Sequence, residues 1–403
     1  MRRDDAAADG AGRVRYGGWR PGDPPAARRF AAVGALALEL GGLLPEVEVA
    51  YETYGTPRVE QGRVVNAVLV EHALTGDAHV HGPAGPGQPS AGWWDTLVGP
   101  GRALDTDSWF VVASNVLGGC QGTTGPSSPG PAGRPWGSAW PATTIRDQVE
   151  VERRLADRLA VSRWVAVLGG SMGGMRALEW ALSWPERVGA ALVLATGAAV
   201  TADQIGIQSA QIDAVTSDPA WHDGDYLAAG TFPAAGLGLA RRLAHLTYRS
   251  ELELEERFGR QRQPDRPEVY AVQSYLDHQA DKLVRRFDAG SYVALTAAMN
   301  AHDVGRGRGG VRAALAGVAV PLVVAGIDTD RLYPLRLQEQ IATAVPGAGD
   351  LAVVPSRFGH DGFLLEVEAV GPLLQRTLAL GSAATDLPSA PAEVAGTTRP
   401  AGG

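Results

Sequence analysis

Six stretches of the chain are near-continuous apolar runs: "VVNAVLVEHALTG" (64–76), "WFVVASNVLGG" (109–119), "WVAVLGGS" (164–171), "AALVLATG" (190–197), "VPLVVAGIDTD" (320–330) and "DLAVVPSRFGHDG" (350–362). Continuous rather than alternating apolarity predicts strands buried on both faces, as in a parallel sheet flanked by helices. An earlier stretch, "VEVAYETYG" (47–55), alternates apolar and polar residues and suits an antiparallel strand. "TIRDQVEVERRLADRLA" and "MRALEWALSWPERV" have helical character and fall between strands, as parallel crossovers require. The pattern is that of an α/β protein.

Residues 200–310 break this pattern. They are polar, with helical periodicity in "YAVQSYLDHQADKLVRRF" and "SYVALTAAMNAHDV" and no buried-strand run. A helical insertion is expected there, between a core of residues 16–199 and a second core part at 311–379. Insertions at the carboxyl edge of such a sheet commonly form a lid and substrate pocket. Residues 1–15 and 380–403 are rich in small residues and Pro, lack apolar periodicity, and read as disordered tails.

Composition narrows the classes. A formal net charge of -8 gives no reason to expect nucleic acid as a partner, which usually needs a basic face. Cys120 is the single cysteine, which excludes an internal disulfide and a Cys-based zinc site; no metal and no permanently bound cofactor is expected. No stretch approaches 18 uninterrupted apolar residues and the N-terminus lacks a signal-like apolar core, so a soluble cytoplasmic protein away from membranes is expected. Of the 36 basic side chains only Lys282 is a lysine, a coding bias.

The chemistry starts at "LGGSMGGMRALEW" (168–180). Gly169-Gly170-Ser171-Met172-Gly173 fits G-x-S-x-G between a strand and a helix, the context of a nucleophile elbow. The same arrangement, the α/β-hydrolase one, places an acid after a later strand and a histidine after the last. His72, His79 and His81 precede the serine, and His222, His245, His278 and His302 lie in the insertion, which leaves His360 in "RFGHDGF". "VVAGIDTDRLYP" offers both Asp328 and Asp330 at the preceding strand end. Ser171 would then attack, His360 would take its proton, and the aspartate would orient the imidazole. Oxyanion donors are expected from the N–H of Met172 and from "HALTG", with Leu74 the best candidate. His72 reads as structural, and Cys120 in "LGGCQGTTGPSS" lacks a following helix start.

"HALTGDAHV", "NVLGGCQGTTGPSS", "GGSMGGMRALEWA", "HLTYRS", "YLDHQADKLVRRFDAGSYVALTAAMNAHDVGRGRGG", "GIDTDRLYP" and "GHDGFLLE" together resemble the homoserine O-acyltransferase family, from about residue 45 to 370. The resemblance implies an α/β-hydrolase fold, an acyl-CoA donor, methionine biosynthesis, a homodimer, and Asp330 rather than Asp328 as the acid. It implies that Arg241 meets the homoserine carboxylate and that Asp361 holds its amino group. Succinyl-using members tend to carry an arginine where this chain has Leu332 in "DRLY", so acetyl-CoA is the expected donor, with Arg331 a neighbour that complicates the choice. "LAVSRW" (159–164) lacks the glycine such chains carry before the elbow strand, which leaves the local backbone shape open. Other readings stay open: a succinyl-CoA donor, another hydroxyl acceptor such as serine or a deacetylated antibiotic precursor, a serine esterase, or a binding protein without catalysis.

Overall fold

The apolar runs lie side by side in one eight-stranded sheet. The computed structural model describes residues 16–385. The strands of this sheet are β1 (Arg29–Ala37), β2 (Leu43–Tyr54), β3 (Ala67–Glu71), β4 (Phe110–Ser114), β5 (Trp164–Gly170), β6 (Val188–Leu194), β7 (Leu322–Ile327) and β8 (Ala352–Val354). Their spatial order is β1-β2-β4-β3-β5-β6-β7-β8. β1, β2 and β4 pair antiparallel, and every pairing from β4 to β8 is parallel. The alternating stretch at 47–55 is the antiparallel β2; its partner β1 was not foreseen, because "RFAAVGALA" is Ala- and Gly-rich and mostly exposed.

Successive residues of the central strands feed two separate cores, which is why their sequence shows no polar face. Leu69, Val167, Val193 and Val324 join one core with side chains of α1 (Ile145–Arg158) and α2 (Met172–Ser183). Thr144 caps α1 in a reciprocal arrangement with Asp147, which fixes where the crossover helix starts.

Residues 202–300 carry α3 (Ala202–Thr216), α4 (Ala234–Tyr248), α5 (Glu251–Phe258), α6 (Ala271–Val284) and α7 (Ala289–Asn300). These residues are helical apart from a short exposed hairpin of Arg262–Gln263 with Arg266–Tyr270. Leu237 and Ala240 of α4, Leu283 of α6 and Leu295 of α7 form a third apolar cluster with Leu74 and Met172 at the sheet's carboxyl edge. Lys282 is exposed on α6.

The chain then returns through α8 (Val311–Ala316) and α9 (Leu335–Ala344), a four-residue turn of helix α10 (Gly362–Leu365), and α11 (Val367–Thr385). Val370, Leu374 and Leu378 of α11 cover the second core, with Val70, Leu168 and Val323. No helix among the described residues is long and apolar enough to cross a membrane.

The disordered tail expected from residue 380 does not begin there, because α11 runs to Thr385. The small residues that suggested a tail serve close packing: a Cβ on Gly381 would sit 1.9 Å from the carbonyl oxygen of Val165 on β5. The remaining tail assignments, 1–15 and 386–403, lie outside the described residues. In "LAVSRW", Ala160 takes φ 56°, the left-handed conformation a glycine would adopt freely, directly after α1. That costs a Cβ-bearing residue about 1–2 kcal/mol. Ala160→Gly is expected to stabilise the protein by about 1 kcal/mol, read from the denaturant midpoint at unchanged slope. A destabilised variant would show that this turn is not strained.

Candidate active site

The glycines around Ser171 are there because neighbouring backbone leaves no room for a Cβ. One on Gly169 would lie 2.1 Å from the carbonyl oxygen of Gly173, and one on Gly173 would lie 2.2 Å from that of Glu71. Strand, turn and helix are thus pressed into contact, and Ser171 between them is held at φ 59°, ψ −125°. A serine in this region is strained, and the strain is fixed from both sides: Ser171 N–H donates to Leu194 at 3.0 Å and its carbonyl accepts from Met175 at 3.1 Å. The turn aims the hydroxyl off the carboxyl edge of the sheet at the head of α2, the geometry of a nucleophile elbow.

Two loops from the later strands converge on that hydroxyl. His360 Nε2 lies 2.8 Å from Ser171 Oγ, and His360 Nδ1 lies 2.6 Å from Asp330 Oδ2. Asp330 is fixed in turn, because its other oxygen accepts the N–H groups of Leu332 and Tyr333, each at 2.8 Å. Asp328 is exposed and accepts the N–H of Ser356 at 2.9 Å instead. It joins the two loops and takes no part in the constellation. Thr329 also bridges them, accepting from Gly359 N–H at 3.1 Å and donating to the Ser356 carbonyl at 2.5 Å.

All three side chains are buried. Burial alone would push the imidazole of His360 down, but the Asp330 carboxylate, with a smaller contribution from Asp361, outweighs it and holds the ring above its ordinary range. A serine, a base and an orienting acid are therefore linked in one chain of hydrogen bonds.

Met172 and Leu74 are buried together in the cluster they share with the inserted helices. Among the described residues neither backbone N–H donates to another backbone or side-chain group. Met172 opens α2, so its amide is one of the unpaired donors at a helix N-terminus. His72 has the structural role expected of it: Nδ1 donates to the Ala73 carbonyl at 2.8 Å, and Nε2 accepts from Val116 N–H at 3.1 Å. Burial first, then Arg176, holds it neutral, with a pKa down to about 3. Cys120 is buried; burial pushes its thiol up and its sulfur accepts the N–H of Asp288 at 3.4 Å. His222 and His278 are exposed, while His245 and His302 are buried.

The inserted helices supply the other side of the site. Arg241 reaches Thr75 Oγ1 at 3.4 Å and lies 5.5 Å above the ring of Tyr248. Asp361 follows the histidine, and Arg241 lies close enough to act on its charge. Burial pushes Asp361 up, opposed by Arg249, His360 and Arg241 in that order. Sequence reasoning missed Arg249, whose Nε is 3.1 Å from Asp361 Oδ2. It also missed the aromatic surround of His360, where Tyr333, Phe363 and Tyr248 stand 5.2, 5.4 and 6.0 Å from the imidazole. Local patterning carries no signal for Arg249, although "HLTYRS", which contains it, is one of the stretches that carry the family resemblance. The roof touches the catalytic loop directly: Gly359, at φ 65°, has no room for a Cβ against the carbonyl of Tyr248, 2.7 Å away.

An α/β sheet in this order, with an elbow serine, a strand-end acid and a final histidine, defines an α/β-hydrolase. Residues 66–367 match the family model of the alpha/beta hydrolase fold. A homoserine O-acetyltransferase of Thermobifida fusca is 56% identical over 369 residues, covering 90% of this chain and 97% of that protein. One from Mycobacterium tuberculosis is 56% identical over 352 residues, covering 86% and 92%. Within the superfamily, the chain belongs to the homoserine O-acetyltransferase family. The solved homoserine O-acetyltransferase of Bacillus anthracis superposes with a TM-score of 0.80 at 25% identity, over 87% of this chain and 97% of that one. Esterase E22 shares the fold, at a TM-score of 0.79 and 24% identity, over 87% and 99%.

Proposed function

We propose that this chain transfers an acetyl group from acetyl-CoA to the γ-hydroxyl of L-homoserine through an acetyl-serine at Ser171, giving O-acetyl-L-homoserine for methionine biosynthesis. The observation that carries the reading is the hydrogen-bonded line Ser171–His360–Asp330 in a chain 56% identical to homoserine O-acetyltransferases. Ser171 Oγ attacks the thioester carbonyl as His360 Nε2 takes its proton. The N–H groups of Met172 and Leu74 stabilise the oxyanion, and CoA leaves as the thiol with the proton from His360. Homoserine then enters with its carboxylate on Arg241 and its ammonium on Asp361. His360 removes the γ-hydroxyl proton, the oxygen attacks the acetyl carbon, and collapse returns the proton to Ser171.

Acetyl rather than succinyl transfer fits a pocket in which Leu332 is buried among apolar side chains and Arg331 is exposed. The acyl donor enters as a co-substrate, with no permanently bound cofactor in the scheme. Cytoplasmic location belongs to the same reading. So does a homodimer: Leu239, Leu246 and Leu252 of α4 and α5 are 49%, 37% and 56% exposed, and a second copy would cover them. Sedimentation giving a monomer at working concentration would remove the dimer.

Release of CoA from acetyl-CoA, with and without L-homoserine and with L-serine or succinyl-CoA as exchanges, tests the activity. Sustained release only with homoserine and acetyl-CoA is expected. Equal release without any acceptor would make the protein a hydrolase. For Arg241→Gln the expected result is an acceptor KM raised roughly 10- to 100-fold, the loss of a charge-assisted pair, with the acetyl-CoA half-reaction unchanged. Equal slowing of both half-reactions would remove Arg241 from acceptor binding.

A further inference from the structure

Directly behind the elbow lies a group of charges that the reaction scheme does not use. Arg176, in α2, is fully buried, and so are the two carboxyl groups beside it. Its Nη1 is 2.6 Å from Glu152 Oε1 and 2.5 Å from Glu71 Oε2. Its Nη2 donates to the carbonyl of His72 at 2.5 Å. Glu152, from α1, is further held by Ser114 Oγ at 3.2 Å and Trp180 Nε1 at 3.0 Å. Glu71 closes β3 in register with Gly169 of the elbow strand, and its carboxyl oxygens accept no well-aligned hydrogen bond.

This group joins two segments with one shared task. The amide of Met172 heads the helix that carries Arg176, and the amide of Leu74 lies two residues beyond His72. We propose that Arg176 is a positioning residue that sets the separation of the two oxyanion donors by gripping the His72 carbonyl, and that Glu71 serves it as a neutral carboxylic acid. One guanidinium facing two dry carboxylates would leave a net buried negative charge, which is strongly disfavoured; one proton on the pair removes it. Glu71 is the member that holds the proton. Glu152 accepts hydrogen bonds from Arg176, Ser114 and Trp180 and so is held as the anion, whereas the oxygens of Glu71 accept none; burial, opposed by Arg176 and reinforced by Glu152, accordingly pushes Glu71 well above the usual carboxylate range. The inference rests on the acyl-serine reading.

The test compares three variants with p-nitrophenyl acetate and acetyl-CoA as donors, and measures the affinity of a boronic acid that forms a tetrahedral adduct on serine. Glu71→Gln, which keeps shape and neutrality, is expected to retain kcat within about threefold. Arg176→Met paired with Glu152→Gln removes the grip without stranding an ion. Its kcat is expected to fall by about 100-fold, the loss of one oxyanion donor, with KM near unchanged and boronate affinity lowered in parallel. Arg176→Lys, which keeps the charge without the fork, should fall between them. If the paired variant folds with wild-type kcat and boronate affinity, or if Glu71→Gln is as damaged as it, the inference is overturned. A wild-type protein that forms no acyl-enzyme with either donor would instead overturn the functional reading beneath it.

Discussion

Ser171→Ala lowers acetyl transfer by about ten-thousandfold or more, and no acetyl group remains on the protein after exposure to acetyl-CoA. That is the expected result if the hydroxyl forms the covalent intermediate, since loss of a triad nucleophile leaves only binding and oxyanion stabilisation. The substitution leaves the fold intact. Position 171 already tolerates a Cβ at φ 59°, and alanine keeps both backbone hydrogen bonds of the turn. Intact-mass measurement after brief mixing with acetyl-CoA reads the adduct directly, and initial rates read the turnover. A variant that keeps even a tenth of the wild-type rate would rule out the acyl-serine, leaving direct transfer between bound donor and acceptor.

Asp330→Asn is expected to cost about ten-thousandfold at neutral pH, through the orientation of one amide. The Leu332 and Tyr333 N–H groups both point at Oδ1. In the variant that position must be taken by the amide oxygen, since the amide nitrogen has nothing to accept with. The NH₂ group is therefore turned toward His360 Nδ1, which becomes the acceptor. The proton moves to Nε2, where it faces Ser171 and cannot receive the hydroxyl proton. The pH profile gives a second reading. The active base is the neutral imidazole, so wild-type kcat/KM should fall as pH drops through an apparent pKa above the ordinary 6.5, because Asp330 raises it. In Asp330→Asn that limb should move to lower pH. A variant with unchanged limb and near-normal rate would show that another group orients the base.

The sequence carried the parts of this site that have local signatures. Strands buried on both faces read as unbroken apolar runs, and the elbow announces itself because only glycine fits where Gly169 and Gly173 meet backbone. Order along the chain then singled out His360 from eight histidines. What stayed hidden depends on contacts between distant residues. Arg249 and Asp361 meet between the inserted helices and the last core loop, and Arg176 reaches carboxyl groups from β3 and α1. Each is, in sequence, an ordinary charge on a helix or at a strand end. β1 was invisible for another reason: it packs mainly through pairing with β2, so its Ala-rich sequence has little apolar pattern to read.

The lone lysine has a practical consequence. Lys282 stands exposed on α6 of the inserted helices, and partial desolvation of its amine together with the nearby Arg286 and Arg241 holds it below the ordinary range. A larger fraction is therefore unprotonated and reactive at mildly alkaline pH than for an ordinary lysine. Because every other basic side chain is an arginine, an amine-directed fluorophore would label this one side-chain position, besides the terminal amine. It would report on the roof of the pocket, without mutagenesis, as donor and acceptor come and go.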